Sequence, residues 1–188
     1  MESGRNTHIP FSEPPWARFL LSDTRPAVLW LVLRVWLGWG WLQAGMGKVG
    51  SPAWTGEQAG AAVAGFVARA LERAGGDHPD VPGWYAWFLE NVVLNNAAVF
   101  GHLVAYGEVL VGAALILGCL TGIAAFFGTF MNMAFLLAGT VSSNPIYFAV
   151  GTWLVLAWRN AGWYGLDRWV LPALGTPWEP GSLFQQRR

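Results

Sequence analysis

Four apolar runs, each close to the length that a helix needs to cross a bilayer, dominate this chain. They occupy about residues 26–48, 97–117, 119–140 and 144–161. A hydrocarbon core takes roughly 20 apolar residues per helix, with a range of about 17 to 25. Only 12% of the 188 residues are charged, which is half of the ~25% that a soluble domain carries. The sequence therefore predicts an all-α integral membrane protein with its membrane domain at 26–178.

Short connections predict how the runs are arranged. Residues 118–122 join the second run to the third, and residues 140–145 join the third to the fourth. Links this short place consecutive helices side by side, which predicts an antiparallel four-helix transmembrane bundle. Interfacial amphipathic helices are expected at 59–74, 84–94 and 163–174. The polar ends, 1–15 and 179–188, are expected to be disordered.

Basic residues predict the orientation of the runs. Residues 1–25 lack the apolar stretch of a signal peptide, so the first run is expected to stay in the mature protein. Most arginines lie in the two terminal segments, and the long loop 49–96 holds only two, Arg69 and Arg73. Because basic residues favour the cytoplasmic side, we expect both termini, including the segment 1–25, to be cytoplasmic and the loop 49–96 to be external. The expected location is the plasma membrane, which the chain crosses several times.

Two opposite charges, Arg34 and Glu108, lie within the first two apolar runs. A charge in hydrocarbon costs several kcal/mol, so such residues usually face a bundle interior and find a partner. At 1.5 Å per residue, Arg34 lies ~12 Å and Glu108 ~14 Å from the cytoplasmic edge, counted from Pro26 and Leu117. The two are therefore expected to pair. The pair could serve only to fix helix register, or it could bind a ligand or move protons, and the sequence leaves both open.

Estimating depth in the membrane by counting residues along each run gives further candidate residues for a binding pocket. Gln43 and His102 are expected to share a second polar layer, and Asn132 falls near mid-membrane. Tyr106 lies one turn beyond His102 on the same face, and Trp41 offers a further aromatic wall.

Several chemistries are excluded. Cys119 is the only cysteine, so the chain cannot form an internal disulfide, a CxxC pair or an iron–sulfur cluster. His102 is the only histidine within an apolar run, which argues against bis-histidine haem. The acidic stretch 77–80 is flanked by glycines and predicts a surface turn, so no metal site is expected. Without a basic stripe, no nucleic-acid partner is expected either.

Two stretches carry a family resemblance. Residues 33–54 read LRVWLGWGWLQAGMGKVGSPAW, and residues 105–145 read AYGEVLVGAALILGCLTGIAAFFGTFMNMAFLLAGTVSSNP. Together they resemble the DoxX/DoxD family of small four-helix membrane proteins, over roughly residues 27–178. The resemblance depends on Arg34, Lys48 at the close of the first run, the Gly107-Glu108 step and the Gly122 turn. It implies that Arg34 and Glu108 form the functional polar core.

The resemblance also implies a function. DoxD-type members are associated with thiosulfate:quinone oxidoreductase, and we expect a membrane subunit of a quinone-linked redox complex. A quinone needs aromatic walls, hydrogen-bond donors and a proton-accepting group. The predicted catalytic residues are Glu108 and Arg34, and the predicted quinone-binding residues are Trp41, His102, Tyr106 and Asn132.

Alternatives stay open at this stage. No site for an electron-carrying cofactor is visible, so sulfur chemistry would require another subunit or a direct route from substrate to quinone, and whether the chain is itself an enzyme is undecided. The competing function is a non-enzymatic membrane anchor or assembly factor for a redox complex. A small transporter is a third, for which the sequence offers no inverted repeat. Expected partners are the lipid membrane and either a second redox subunit or a second copy of the chain.

Overall fold

The computed structural model describes residues 13–175, and within them the chain is all helical and contains no strand. The helices are α1 (Pro15–Ser22), α2 (Ala27–Val49), α3 (Ala61–Glu72), α4 (Gly83–Phe88), α5 (Ala97–Leu117), α6 (Thr121–Leu137), α7 (Asn144–Leu156) and α8 (Asp167–Leu174). A π-helical turn and a 3₁₀ turn, Leu89–Val93 and Leu94–Asn96, join α4 to α5 without a break. The all-α prediction is confirmed. Of the disorder expected at 1–15 and 179–188, residues 1–12 and 179–188 lie outside the described residues, and Pro15 is instead the first residue of α1.

Two helices are long and apolar enough to cross a membrane. One is α2, and the other is the continuous helix Gly83–Leu117, which ends in α5. The next two helices are apolar but shorter, with 17 residues in α6 and 13 in α7. They fall short of the apolar runs 119–140 and 144–161 because turns consume the ends of those runs. Leu120 and Gly139, at the two ends of α6, have positive φ, which ends a helix, and the residues that follow Leu156 of α7 form turns.

Helices α2, α5, α6 and α7 pack side by side, each antiparallel to the one before. Gly38 of α2 lies against Leu115 of α5, and Gly128 of α6 lies against Val111 of α5. Gly122 of α6 lies against Trp158, just beyond α7. The four helices share one core of buried residues: Trp30, Leu37, Trp41, Val111, Leu115, Ala124, Ala125, Leu154, Ala157 and Ala161. We name the two ends of this packed unit by α2, as the Ala27 end and the Val49 end.

The segment 49–96 forms a compact layer over the Val49 end. Helices α3 and α4 and the π-helical turn bury a second core, made of Val63, Val67, Ala70, Val81, Tyr85, Leu89, Val93 and Ala138. The Tyr85 hydroxyl donates to the carbonyl of Ala134 at 2.8 Å, which ties this layer to α6. The sequence predicted interfacial amphipathic helices at 59–74 and 84–94, and helices are present in both stretches.

Helices α1 and α8 lie at the Ala27 end. The Trp30 indole donates to the carbonyl of Leu20 at 2.9 Å, and the Asn160 amide donates to the same carbonyl at 2.9 Å. The Asp167 carboxylate accepts from the main-chain N–H groups of Leu120 and Thr121, at 2.5 and 2.9 Å. It therefore caps the start of α6, where helix N–H groups lack helical partners.

Candidate functional site: a buried ion pair beside an aromatic cavity

Glycines let α2 and α5 approach closely and fix their register. A Cβ atom added to Gly45 would meet the main-chain N of Val109 at 2.6 Å, and one added to Gly112 would meet that of Leu42 at 2.5 Å. Both distances are shorter than real Cβ contacts, so no larger residue fits without moving a helix. Gly45 therefore lies opposite the Glu108–Val109 step of α5.

Glu108 is buried and forms an ion pair with Lys48, which is partly buried. The Glu108 residue is 1% exposed, and its Oε2 accepts from Nζ of Lys48 at 2.6 Å. Lys48 belongs to the last turn of α2, and helical side chains point back toward the N-terminus of their own helix. The ammonium group consequently reaches inward from the Val49 end to the level of Gly45. The same ammonium lies 5.2 Å from the ring centroid of Trp54, a cation–π contact.

The predicted pairing of Arg34 with Glu108 is wrong. Arg34 precedes Gly45 by eleven residues, which amounts to about 16 Å along α2, whereas Glu108 is level with Gly45. The depth counting failed because it set Pro26 and Leu117 at the same membrane edge. In the structure, α2 extends well past the end of α5 at the Ala27 end, so Arg34 faces the end of α5 and not its middle.

Arg34 instead caps the carboxyl end of α5. Its Nη1 donates to the carbonyls of Leu115 and Ile116, at 2.5 and 2.8 Å, and its Nη2 donates to the carbonyl of Tyr164 at 2.9 Å. The residue is 1% exposed. The last carbonyls of a helix lack helical partners and carry partial negative charge, so a cation stabilises them. The acidic group that interacts electrostatically with Arg34 is Asp167.

Two of the predicted quinone-binding residues, His102 and Tyr106, lie together on the surface of α5. Their rings stack with centroids 6.2 Å apart, and His102 Nδ1 is 2.8 Å from the carbonyl of Ala98. Tyr106 is 49% exposed. Gln43, expected beside His102, is exposed on α2 and lies nearer to the level of Leu110, so the second polar layer is not formed. The cause is the same offset between α2 and α5.

The other two predicted residues, Trp41 and Asn132, lie inside the packed helices. Asn132 is 0% exposed, and neither its amide nitrogen nor its oxygen is hydrogen-bonded to a described residue. The Trp41 indole N–H is likewise buried without a described partner, and it lies against Gly128, one turn before Asn132 on α6. Asn132 is close to the level of Glu108, since Gly107 lies against Met131. The structure thus brings Asn132 near the Lys48–Glu108 level but leaves Arg34 apart.

An aromatic cavity of about 370 Å³ lies beside this ion pair at the Val49 end. The layer of α3, α4 and the π-helical turn forms one wall, and α5 and α6 form the other. Its lining includes Trp54, Phe66, Trp84, Tyr85, Phe88, Phe100, Phe130 and Phe135, together with aliphatic side chains and methionines. None of the four predicted quinone-binding residues belongs to this lining. Such a concave, aromatic space suits a flat apolar ligand.

Trp54 connects the cavity to the ion pair. Its ring lines the cavity and also faces the Lys48 ammonium. Val104, another lining residue, lies one turn before Glu108 on the same face of α5. A ligand in this cavity would therefore contact an indole ring that also contacts the Lys48 ammonium of the ion pair.

Lys48, Trp54 and Asp167 are residues that sequence reasoning missed as parts of a site. Lys48 stands at the end of an apolar run, where a basic residue usually marks the membrane edge, and Trp54 follows shortly after it, where tryptophan is common at a membrane interface. The signal that could have found Lys48 is the reach of its side chain back along α2. No pattern in the sequence indicated a role for Asp167, since only the tertiary fold brings its carboxylate next to the start of α6.

Comparisons with known proteins identify no relative: no protein-family model, no curated protein and no solved structure matches this chain. Among residues 13–175, no group of three or more His, Cys, Asp or Glu side chains is arranged to hold a metal ion.

Proposed function

We propose that this protein is a membrane subunit of a quinone-linked redox complex, and that the aromatic cavity is its quinone site. The resemblance to the DoxX/DoxD family supports the reaction class. The observation that carries the proposal is the shared position of Trp54, which lines the cavity and contacts Lys48 of the buried ion pair.

The surface supports a membrane location for all four packed helices. Large apolar side chains on their outer faces are exposed: Val28, Leu29, Val32, Leu110, Phe126, Phe127, Phe130, Ile146 and Leu156 among others. Soluble monomers rarely expose apolar patches of this extent. Exposed tryptophans lie at both ends, Trp16 and Trp169 at one and Trp84 and Trp87 at the other, as in the aromatic belts of membrane proteins. We propose a plasma-membrane four-helix bundle with both termini in the cytoplasm.

The cavity and the ion pair have different roles in the proposed quinone site. A bound quinone would accept two electrons and two protons and leave as the quinol. The aromatic walls hold the ring and exclude water, and the Lys48 ammonium donates from Nζ to Oε2 of the Glu108 carboxylate next to Trp54. The two protons of the quinol come from water by way of this pair. By resemblance, the two electrons come from two thiosulfate anions, which join as one tetrathionate. We assign Arg34 to positioning α5, because its guanidinium is hydrogen-bonded to main-chain carbonyls.

Filling the cavity tests the quinone site. Val104→Phe adds an aromatic ring from α5, and Ala134→Leu adds bulk from α6 in the same wall. The matched control is Val99→Phe, which makes the same change on the same helix at a position that is 63% exposed and outside the lining. The measurement is the affinity of a short-chain quinone for protein in lipid nanodiscs, followed by tryptophan quenching.

We expect both filling variants to weaken quinone binding about tenfold, which corresponds to a loss of ~1.4 kcal/mol in binding free energy. Val99→Phe should bind quinone as the wild type does. Equal binding by all four proteins, or no binding by the wild type, would refute the cavity as a quinone site.

A non-enzymatic anchor or assembly factor is the second candidate function. The observation that favours it is that Arg34 and the Lys48–Glu108 pair already stabilise the packing of α2 on α5. Glu108→Gln separates the two functions, because it keeps the side-chain shape and removes the charge. Quinone-dependent turnover by the complex should be lost if Glu108 handles protons. Unchanged turnover would make Glu108 structural and favour the anchor.

A further inference from the structure

A second, polar pocket lies on the outside of α3, away from the ion pair. It has a volume of about 630 Å³ and is formed by α3 and the turn that links α6 to α7. The charged residues of its lining are Arg69, Arg73 and Asp80, and the turn contributes Thr140 and Ser142. Phe66 belongs to this lining and to that of the aromatic cavity, so the two spaces lie on either side of one side chain.

The two arginines are held differently. Arg73 is fixed, because its Nη1 donates to the carbonyl of Gly139 and its own carbonyl accepts from the N–H groups of Asp80 and Val81, at 3.1 and 3.4 Å. Arg69 lies one turn earlier on the same face of α3. Its guanidinium makes no hydrogen bond or ion pair with any residue between 13 and 175. The pocket therefore contains one anchored guanidinium and one that is available to a ligand.

The turn adds hydroxyl donors. Thr140 and Ser142 line the pocket, and neither hydroxyl is hydrogen-bonded to another described residue. Ser142 has a φ of 40°, a left-handed conformation that is uncommon for a residue other than glycine. The Asp80 carboxylate opposes an anion, but two guanidinium groups against one carboxylate leave the lining with a net positive charge.

We infer that this pocket is a binding site for an oxyanion, of the size and chemistry of sulfate or phosphate. Guanidinium groups form paired hydrogen bonds with the oxygens of such anions, and the hydroxyls of Thr140 and Ser142 supply further donors. The anion could be free in solution or could be the phosphate of a lipid headgroup, because the pocket lies at the end of α6 and includes the exposed apolar side chain of Val141. The inference does not depend on what occupies the aromatic cavity.

Binding of inorganic sulfate to the full chain in nanodiscs of phosphatidylcholine tests the site. The variant is Arg69→Gln, since the Arg69 guanidinium has no hydrogen-bond or ion-pair partner between residues 13 and 175 whose loss would disturb the fold. The matched control is Arg168→Gln, which removes an exposed arginine from α8 at the other end of the molecule. Both affinities are measured by equilibrium dialysis at constant ionic strength. Because a hydrogen bond to a charged group is worth a factor of about ten or more, we expect Arg69→Gln to weaken sulfate binding at least tenfold and Arg168→Gln to leave it unchanged.

A second arm distinguishes the sources of the anion. In nanodiscs that contain phosphatidylglycerol, a lipid-headgroup site should lose sulfate binding and should retain phosphatidylglycerol in the wild type but not in Arg69→Gln. A site for a free anion should bind sulfate equally in both kinds of nanodisc. The inference is overturned if Arg69→Gln and the wild type do not differ in either arm.

Discussion

Lys48, from the last turn of α2, reaches back along its own helix to bond Glu108 of α5, with Nζ and Oε2 2.6 Å apart. The carboxylate is almost wholly buried and the lysine mostly so. Two desolvated charges are tolerated here because each offsets the other, and because the glycine contact at Gly45 brings the helices close enough for the bond. The pair therefore links the packing of α2 on α5 to the proposed quinone site.

Removing one member of this pair should cost more than removing both. Lys48→Met leaves Glu108 as a buried, unpaired charge, and breaking a buried pair in this way costs about 3 to 5 kcal/mol. Lys48→Met/Glu108→Met removes both charges and should recover most of that loss. A double-mutant cycle of unfolding free energies in mixed micelles measures the coupling. Additive single effects would mean that the two side chains do not interact.

Arg34 is expected to stabilise the fold and to have no direct part in quinone binding. Arg34→Met removes three charge-assisted hydrogen bonds to carbonyls at the end of α5 and near Tyr164, so we expect a loss of about 3 kcal/mol or more in unfolding free energy. Arg34→Lys keeps the charge but not the fork of donors, and should recover part of it. The control is Arg18→Met, at an exposed position on α1. Loss of quinone binding without loss of stability in Arg34→Met would instead indicate a direct role.

The sequence predicted the bounds of the long helices well, but it did not predict the register between α2 and α5. The helix α5 has the bounds of the second apolar run, 97–117, and α2 differs from the first run by one residue at each end. Hydrophobicity and turn residues determine those limits locally. The offset between α2 and α5 depends on where Gly45 and Gly112 allow backbones to touch, which no local pattern reveals, and this offset separated Arg34 from Glu108.

The candidate site was predictable only in part. Glu108 could be identified because a carboxylate within an apolar run needs a partner. Its partner, Lys48, could not be identified from the sequence, since it resembles an ordinary basic residue at a membrane edge. The aromatic cavity depends on α3 and α4 folding back over α5 and α6, so residues distant in sequence, such as Phe66 and Phe135, meet there with centroids 6.1 Å apart.

The turn before α2 should respond to acid. The pKa of the Asp23 carboxyl is lowered from 3.8 to about 2, because the Arg25 side chain and then its main-chain N–H donate hydrogen bonds to it. A carboxyl with a lowered folded-state pKa stabilises the fold above its unfolded pKa, and that contribution is lost as pH falls through the folded value. The stability of the wild type should therefore approach that of Asp23→Asn between pH 3.8 and about pH 2. Asp77→Asn, which makes the same change at an exposed site without a described partner, is the matched control.

The glycine contact between α2 and α5 gives the sharpest test of the register. A Cβ at Gly112 would lie 2.5 Å from the main-chain N of Leu42 and 2.8 Å from the carbonyl oxygen of Gly38, and backbone atoms cannot move aside as a flexible side chain can. Gly112→Ala should therefore push the helices apart, weaken the Lys48–Glu108 bond and cost about 1 to 3 kcal/mol. Gly47→Ala makes the same change on α2, where nothing lies within 4 Å, and should be neutral or stabilise by up to ~1 kcal/mol because alanine favours helix over glycine. Thermal unfolding of both variants in the same detergent measures the difference. If Gly112→Ala is as stable as Gly47→Ala, α2 and α5 do not meet in this register.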